Sequence, residues 1–198
     1  MEKTNSQILE EFYRSVLSKL EIIESHIDVG HRKNIRFPKF VAGMYPDKKI
    51  VYYDTSRFIK RTRKQKVPEN LFFSNKPEPG FDSASFFFTL HDFKNPFEAI
   101  KRAYKLLKEA GKIIIIDYDL AWIRDEEMTE EEKKKRFAEI FNAVNEKNVI
   151  KKEEDWYENH TRYSLEKCIK DAREAGFSER LREVQERKLF LYIGEKIE

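Results

Sequence analysis

The chain has 198 residues, of which 40% are hydrophobic and 14% aromatic, a balance that suits one α/β domain with a buried core. Its 39 basic and 36 acidic residues give a net charge of only +3, which excludes the one-signed excess typical of a general nucleic-acid binder. A single cysteine excludes an intramolecular disulfide and a cysteine-based zinc site, and the histidines are scattered without the spacing of metal ligands. No apolar run approaches the roughly 18 residues of a membrane helix.

The N-terminus lacks the apolar core of a signal peptide, so we expect a cytoplasmic protein that binds neither membranes nor metals. Charged residues of both signs make up 38% of the chain, a composition typical of thermophilic proteins.

The first elements of the chain predict alternating helices and short strands. Apolar residues from Leu9 to Leu20 recur at helical spacing, so we expect an amphipathic helix within residues 1–22. Short apolar runs then predict three strands: His26–Val29, Ile50–Tyr53 and Leu71–Phe73.

The middle of the chain predicts a strand–helix–strand unit. Ser85–Phe88 and Lys112–Asp117 are strand-like runs, and the second suits a strand that is buried on both faces of a parallel sheet. Between them, Asn95 can cap a helix, Pro96 suits the first helical position, and Gly111 ends the predicted helix. The short connections predict a right-handed βαβ unit.

The remaining segments predict two helices and a hairpin. The capping-box pattern Thr129–Glu132 begins a helix over residues 129–148, inside a helical insertion over residues 124–160. A second helix spans residues 164–176, and the runs 181–184 and 189–193 predict a terminal hairpin. Together the elements indicate one α/β domain over all 198 residues, built around a mostly parallel sheet.

Several of these segments together resemble a known family. Phe81–Phe93 (FDSASFFFTLHDF), Leu106–Lys112 (LLKEAGK), His160–Ser164 (HTRYS) and Glu174–Phe177 (EAGF) are similar to motifs of class I S-adenosylmethionine-dependent methyltransferases, of the type 11 or UbiE-like kind. The resemblance implies a Rossmann-like, seven-stranded, mostly parallel sheet with helices on both faces and an antiparallel last strand. It also implies that S-adenosylmethionine binds at the carboxyl ends of the early strands.

The resemblance assigns a set of cofactor-binding residues. The family's glycine-rich loop corresponds to residues 28–34, where Gly30 keeps the first glycine while Arg32 and Asn34 replace the other two. Asp54 corresponds to the acidic residue that hydrogen-bonds the ribose hydroxyls. The expected cofactor residues are Asp28, Gly30, His31, Asp54, Thr55, Asn75 and Phe87.

The resemblance implies methyl transfer to a small-molecule acceptor. His91, near the end of the fourth strand, is a candidate general base, and a structural role for it stays open. The replaced glycines leave open a non-catalytic binding or assembly protein with the methyltransferase fold. The basic segment 57–66 leaves open an RNA-directed methyltransferase, and the apolar stripe of the helical insertion leaves open a homodimer.

Overall fold

A computed structural model describes residues 5–20, 22, 24–30, 35–54, 59, 64–144, 157–158, 160–185 and 189–197. The helices there are α1 (Asn5–Leu17), α2 (Arg36–Met44), α3 (Pro96–Leu106), α4 (Trp122–Asp125), α5 (Glu130–Val144) and α6 (Leu165–Ala175), with a 3₁₀ turn at Leu90–Asp92. The strands are β1 (Ser25–Val29), β2 (Lys49–Tyr53), β3 (Leu71–Ser74), β4 (Phe81–Phe87), β5 (Leu107–Tyr118), β6 (Phe177–Gln185) and β7 (Leu189–Lys196).

The strands form one seven-stranded sheet in the order β3-β2-β1-β4-β5-β7-β6. The pairs from β3 to β5 are parallel, and β7 is antiparallel to both β5 and β6. This arrangement confirms the predicted Rossmann-like sheet with an antiparallel last strand. The strand order reverses between β1 and β4, and ligands of such sheets bind outside the carboxyl ends of the strands at this point.

Both faces of the sheet are covered by helices. One core contains residues of α1 and α2 together with Ile114 and Ile116 of β5. The other contains residues of α3 and α6 together with Ile113 and Ile115. Successive side chains of a strand point to opposite faces, so the isoleucine run supplies both cores, as expected of a strand buried on both faces.

The capping residues in the sequence predict most helix ends correctly. Asn95 Oδ1 accepts the Glu98 N–H at 3.3 Å, and Ser164 Oγ accepts the Lys167 N–H at 3.2 Å. The predicted capping box is present, because Glu132 accepts the Thr129 N–H at 2.8 Å. The predicted helix over 129–148 is described as far as Val144 only, and its last residues lie outside the described part of the chain.

One predicted helix end is wrong. The helix α3 ends at Leu106 rather than near Gly111, and Leu107 already has the extended angles φ −82° and ψ 145°. Leu107 pairs with Phe81 of β4 and is 3% exposed, so the sheet takes up the residues that precede Gly111. Among the described residues, no helix is both long and apolar enough to cross a bilayer.

Candidate functional site

The expected cofactor crevice lies where β1 and β2 end side by side. Asp28 of β1 is in register with Tyr52 of β2. Immediately after the strands, the Gly30 N–H donates to the Tyr53 carbonyl at 2.9 Å, and the Asp54 N–H donates to the Ser74 carbonyl at 3.3 Å. The parallel register therefore brings Asp28, Gly30 and Asp54, three of the predicted residues, to one edge of the sheet. We call this region the cofactor crevice.

The side chain of Tyr52 fills the space between Gly30 and Asp54. Its hydroxyl donates to Asp54 Oδ2 at 3.0 Å. A Cβ atom added at Gly30 would lie 2.2 Å from Tyr52 Cε2, so the ring rests directly against the glycine backbone. Tyr52 is 0% exposed and Asp54 is 3% exposed, and burial beside this carboxylate raises the pKa of the Tyr52 hydroxyl far above its usual value.

Asp28 belongs to a chain of buried polar side chains that joins β1 to β4. Ser85 Oγ donates to Asp28 Oδ1 at 2.5 Å. His26 contacts Ser83 Oγ through Nδ1 at 2.8 Å and Ser85 Oγ through Nε2 at 2.9 Å. Burial raises the pKa of Asp28 to about 7 and lowers the pKa of His26 to about 3, because burial disfavours the charged form of each group.

An aromatic cluster lies beside this chain, on the face covered by α1 and α2. Phe87 is stacked on Phe37, with ring centroids 4.3 Å apart, and Tyr13 meets the Phe87 ring edge-on at 4.9 Å. Burial raises the pKa of Tyr13 to about 12, and the neighbouring Asp28 acts in the same direction. Phe87, one of the expected cofactor residues, is thus in contact with the rings of Phe37 and Tyr13.

A second group of polar side chains lies at the ends of β4 and β5. His91 Nδ1 is 2.5 Å from Asp117 Oδ1, and the His91 N–H donates to Asp117 Oδ2 at 2.9 Å. The His160 ring lies 4.1 Å from the His91 ring, centroid to centroid, and Tyr118 is in contact with both. We call His91, Asp117, Tyr118 and His160 the histidine cluster.

Two arginines hold the His160 segment against this edge of the sheet. Arg162 donates to the carbonyls of His91 at 3.0 Å and Phe93 at 2.5 Å. Arg124, in α4, donates to Thr161 Oγ1 at 2.7 Å. These bonds fix the second histidine beside the first, although the two are far apart in sequence.

Of the remaining predicted residues, one is described and two lie outside the described residues. Asn75 is exposed and follows directly after β3. His31 and Thr55 lie outside the described residues, as does most of the basic segment 57–66.

Sequence reasoning did not identify Tyr52, Ser85 or Asp117 as site residues. The one available signal was alternation, since side chains two apart on a strand, such as Tyr52 and Asp54, share a face.

The polar groups of the cofactor crevice suit S-adenosylmethionine, but the space that the cofactor needs is occupied. A buried carboxylate at the end of β2 is a suitable acceptor for a ribose hydroxyl, and Asp54 provides one. The position beside Gly30, where a cofactor would need to approach the backbone, is taken by the Tyr52 ring. The group therefore fits only if this ring moves.

Comparison with known proteins identifies the fold. No family model and no curated protein matches the sequence. The S-adenosylmethionine-dependent methyltransferase SibL superposes with a TM-score of 0.66 at 14% identity, over 98% of this chain and 56% of that chain. The N-methyltransferase NodS from Bradyrhizobium japonicum gives 0.54 at 14% identity, over 98% and 97%. The [4+2]-cyclase SpnF gives 0.66 at 13% identity, over 98% and 83%.

The chain therefore has the class I methyltransferase fold, as the motifs predicted. Identities this low establish the fold alone, and the neighbours differ in the reactions that their names state.

Proposed function

We propose that the protein is an S-adenosylmethionine-dependent methyltransferase that acts on a small-molecule acceptor. The observation that carries this proposal is the placement of Asp28, Gly30 and Asp54 at adjacent strand ends of a sheet with the methyltransferase order. In this reading Asp54 accepts hydrogen bonds from the ribose, and Gly30 allows the cofactor to approach the backbone. The bound cofactor supplies an electrophilic methyl group on its sulfonium.

The histidine cluster supports the acceptor half of the proposal. Asp117 holds His91 through both the imidazole and the backbone, so the ring has one fixed orientation for proton transfer. The neighbouring apolar residues Tyr118, Ile123, Phe137 and Tyr157 form a small core around the end of β5. His91 held in this way is a candidate base for an acceptor that arrives protonated.

Calorimetric titration with S-adenosylmethionine and S-adenosylhomocysteine tests the proposal. Asp54→Ala should weaken binding by about 10- to 100-fold, since hydrogen bonds to a charged group are worth roughly 1.5–3 kcal/mol. Asp47→Ala, which removes an exposed carboxylate from the turn before β2, is the matched control and should bind like the wild type. Equal affinity of the Asp54→Ala variant and the wild type would refute the ribose assignment.

The second candidate is a non-catalytic binding or assembly protein with this fold. The burial of Asp54 favours this candidate, because this residue is 3% exposed and its side chain already accepts a hydrogen bond from Tyr52. A [4+2]-cyclase with the same fold illustrates that the fold does not fix the reaction. Absence of heat with both cofactors at high micromolar concentration, in a protein that unfolds cooperatively, would favour this candidate over the first.

Two further predictions from the sequence stay predictions. The RNA-directed alternative depends on the basic segment 57–66, of which only Ile59 and residues 64–66 are described. A homodimer is equally untested, and sedimentation of the purified chain would measure it.

A further inference from the structure

The strongest unexplained feature of the site is the position of the Tyr52 ring. Asp54 directly follows β2, two residues after Tyr52, and its N–H continues the pairing by donating to the Ser74 carbonyl. The two side chains therefore emerge on the same face of the sheet. The tyrosine side chain runs toward the carboxyl end of β2, passes against Gly30, and ends with its hydroxyl on Asp54 Oδ2. Tyr52 therefore contacts both Asp54, which is expected to bind the ribose, and Gly30, where the cofactor is expected to approach the protein backbone.

The bond from Tyr52 is of the same kind that a nucleoside would make. A ribose presents hydroxyl donors, and the carboxylate of Asp54 already accepts a hydroxyl donor from its own strand. Both donors are neutral O–H groups, so exchange of one for the other changes the number of hydrogen bonds little. A carboxylate has about four lone-pair sites, and the Tyr52 hydroxyl holds one of those that a ribose hydroxyl would use.

The ring also competes for space. Tyr52 is among the largest fully buried side chains of the described residues, and Phe73 of β3 packs against it edge-on with centroids 6.0 Å apart. Neighbours on both sides, Gly30 and Phe73, hold the ring over the crevice. A ligand that reaches Asp54 must displace it.

We infer that Tyr52 is an affinity-determining residue that occupies the ribose position of the cofactor crevice and must be displaced before a nucleoside cofactor binds. This inference rests on the proposed function, because it presumes that Asp54 binds a ribose. Cofactor affinity in the wild type is then lowered by the competing hydroxyl and ring. A substitution of Tyr52 that removes the hydroxyl or the ring should therefore raise the affinity for the cofactor.

The test is calorimetric titration of S-adenosylhomocysteine into the full chain and two single variants. Tyr52→Phe keeps the ring and removes the competing hydroxyl, so we expect affinity to rise about 10- to 100-fold, the equivalent of one hydrogen bond to a charged group. Tyr53→Phe is the matched control, because its hydroxyl accepts a bond from Arg102 at 2.6 Å and is no partner of Asp54. It should bind like the wild type.

Tyr52→Ala removes the ring as well and should raise affinity further if the variant folds, which thermal unfolding will establish. Tyr52→Phe keeps the test decisive if the alanine variant does not fold.

The outcomes separate the two claims. Tighter binding by Tyr52→Phe alone supports the inference, whether or not the wild type binds measurably. Measurable binding by the wild type with equal or weaker binding by Tyr52→Phe overturns the inference and leaves the proposed function standing. Absence of binding in every folded variant, Tyr52→Ala included, overturns both.

Discussion

The cofactor crevice and the histidine cluster lie at the same edge of the sheet, and each buries a carboxylate at or just beyond a strand end. Asp117 accepts bonds from the His91 N–H, the His91 imidazole and the Tyr118 N–H, and most of these donors belong to the backbone. Asp54 accepts a bond from the hydroxyl of Tyr52, at the tip of a side chain. Backbone donors cannot leave without local unfolding, whereas a tyrosine hydroxyl can be replaced by another hydroxyl.

The comparison contrasts a carboxylate that accepts mostly backbone donors with one that accepts a side-chain hydroxyl, a donor that a ligand hydroxyl can replace. The first should dominate stability, and the second should dominate ligand affinity. The three predictions below test the stability side, from the largest effect to the smallest.

Asp117→Ala should have the largest effect. The substitution leaves two buried N–H groups and the His91 imidazole without their acceptor, so we expect the free energy of unfolding to fall by about 3–5 kcal/mol. Denaturant unfolding followed by circular dichroism measures it. Asp119→Ala, which removes one 3.3 Å bond from the Leu165 N–H, is the control and should lose about 1 kcal/mol. Equal losses in the two variants would contradict the role given to Asp117.

Gly30→Ala should have an intermediate effect. The new Cβ would lie 2.2 Å from the Tyr52 ring, so ring or backbone must shift, and we expect a loss of about 1–3 kcal/mol in unfolding free energy. The loss should shrink in a Tyr52→Ala background, as a double-mutant cycle would measure. Gly43→Ala, at a helical position with nothing within 4 Å, is the control and should be neutral or slightly stabilising. An undiminished loss in the Tyr52→Ala background would place the clash elsewhere.

Asp28→Asn should have the smallest effect and should depend on pH. The pKa of Asp28 is raised to about 7 from an ordinary 3.8, so its contribution to stability is full at low pH and is lost as the pH rises through 7. The pKa of His26 is lowered to about 3 from an ordinary 6.5, so its contribution is full above 6.5 and is lost as the pH falls. The two groups therefore oppose each other between about pH 4 and pH 6.5.

Asparagine keeps an oxygen for the Ser85 hydroxyl and carries no charge. At pH 8 the Asp28→Asn variant should exceed the wild type by about 1–2 kcal/mol in unfolding free energy, and the advantage should diminish at pH 5. Urea unfolding at the two pH values measures this difference. Asp47→Asn, at an exposed turn, should leave the profile unchanged between these values. An advantage that is the same at pH 5 and pH 8 would show that Asp28 is ionised throughout.

Much of the fold could be predicted because its signals are local. The run of β-branched residues Ile113–Ile116 indicates a doubly buried strand by itself, and Asn95 and Ser164 cap helices that begin directly after them. The end of α3 was placed too late because Leu107–Gly111 has no local feature that favours a strand over a helix. These residues form a strand because Leu107 pairs with Phe81, which lies in another element.

Less of the site could be predicted, because it depends on which side chains meet across strands. Asp54 follows a strand that the sequence identifies, so its position at the sheet edge was predictable. That Tyr52 bonds to it depends on the room that Gly30 leaves on the neighbouring strand. The contact between the His160 and His91 rings joins two distant segments through α4 and Arg162, and no pattern in either segment indicates the other.

The position of β7 has a consequence for how the chain folds. It lies between β5 and β6, and within the described sheet β6 pairs with no other strand. During synthesis from the N-terminus, the long edge of β5 and the whole of β6 therefore have no partner until residues 189–196 emerge from the ribosome. Completion of the sheet is thus a late event in folding. A nascent chain arrested before this strand would expose an isoleucine-rich edge, the kind of surface that chaperones bind and that aggregates.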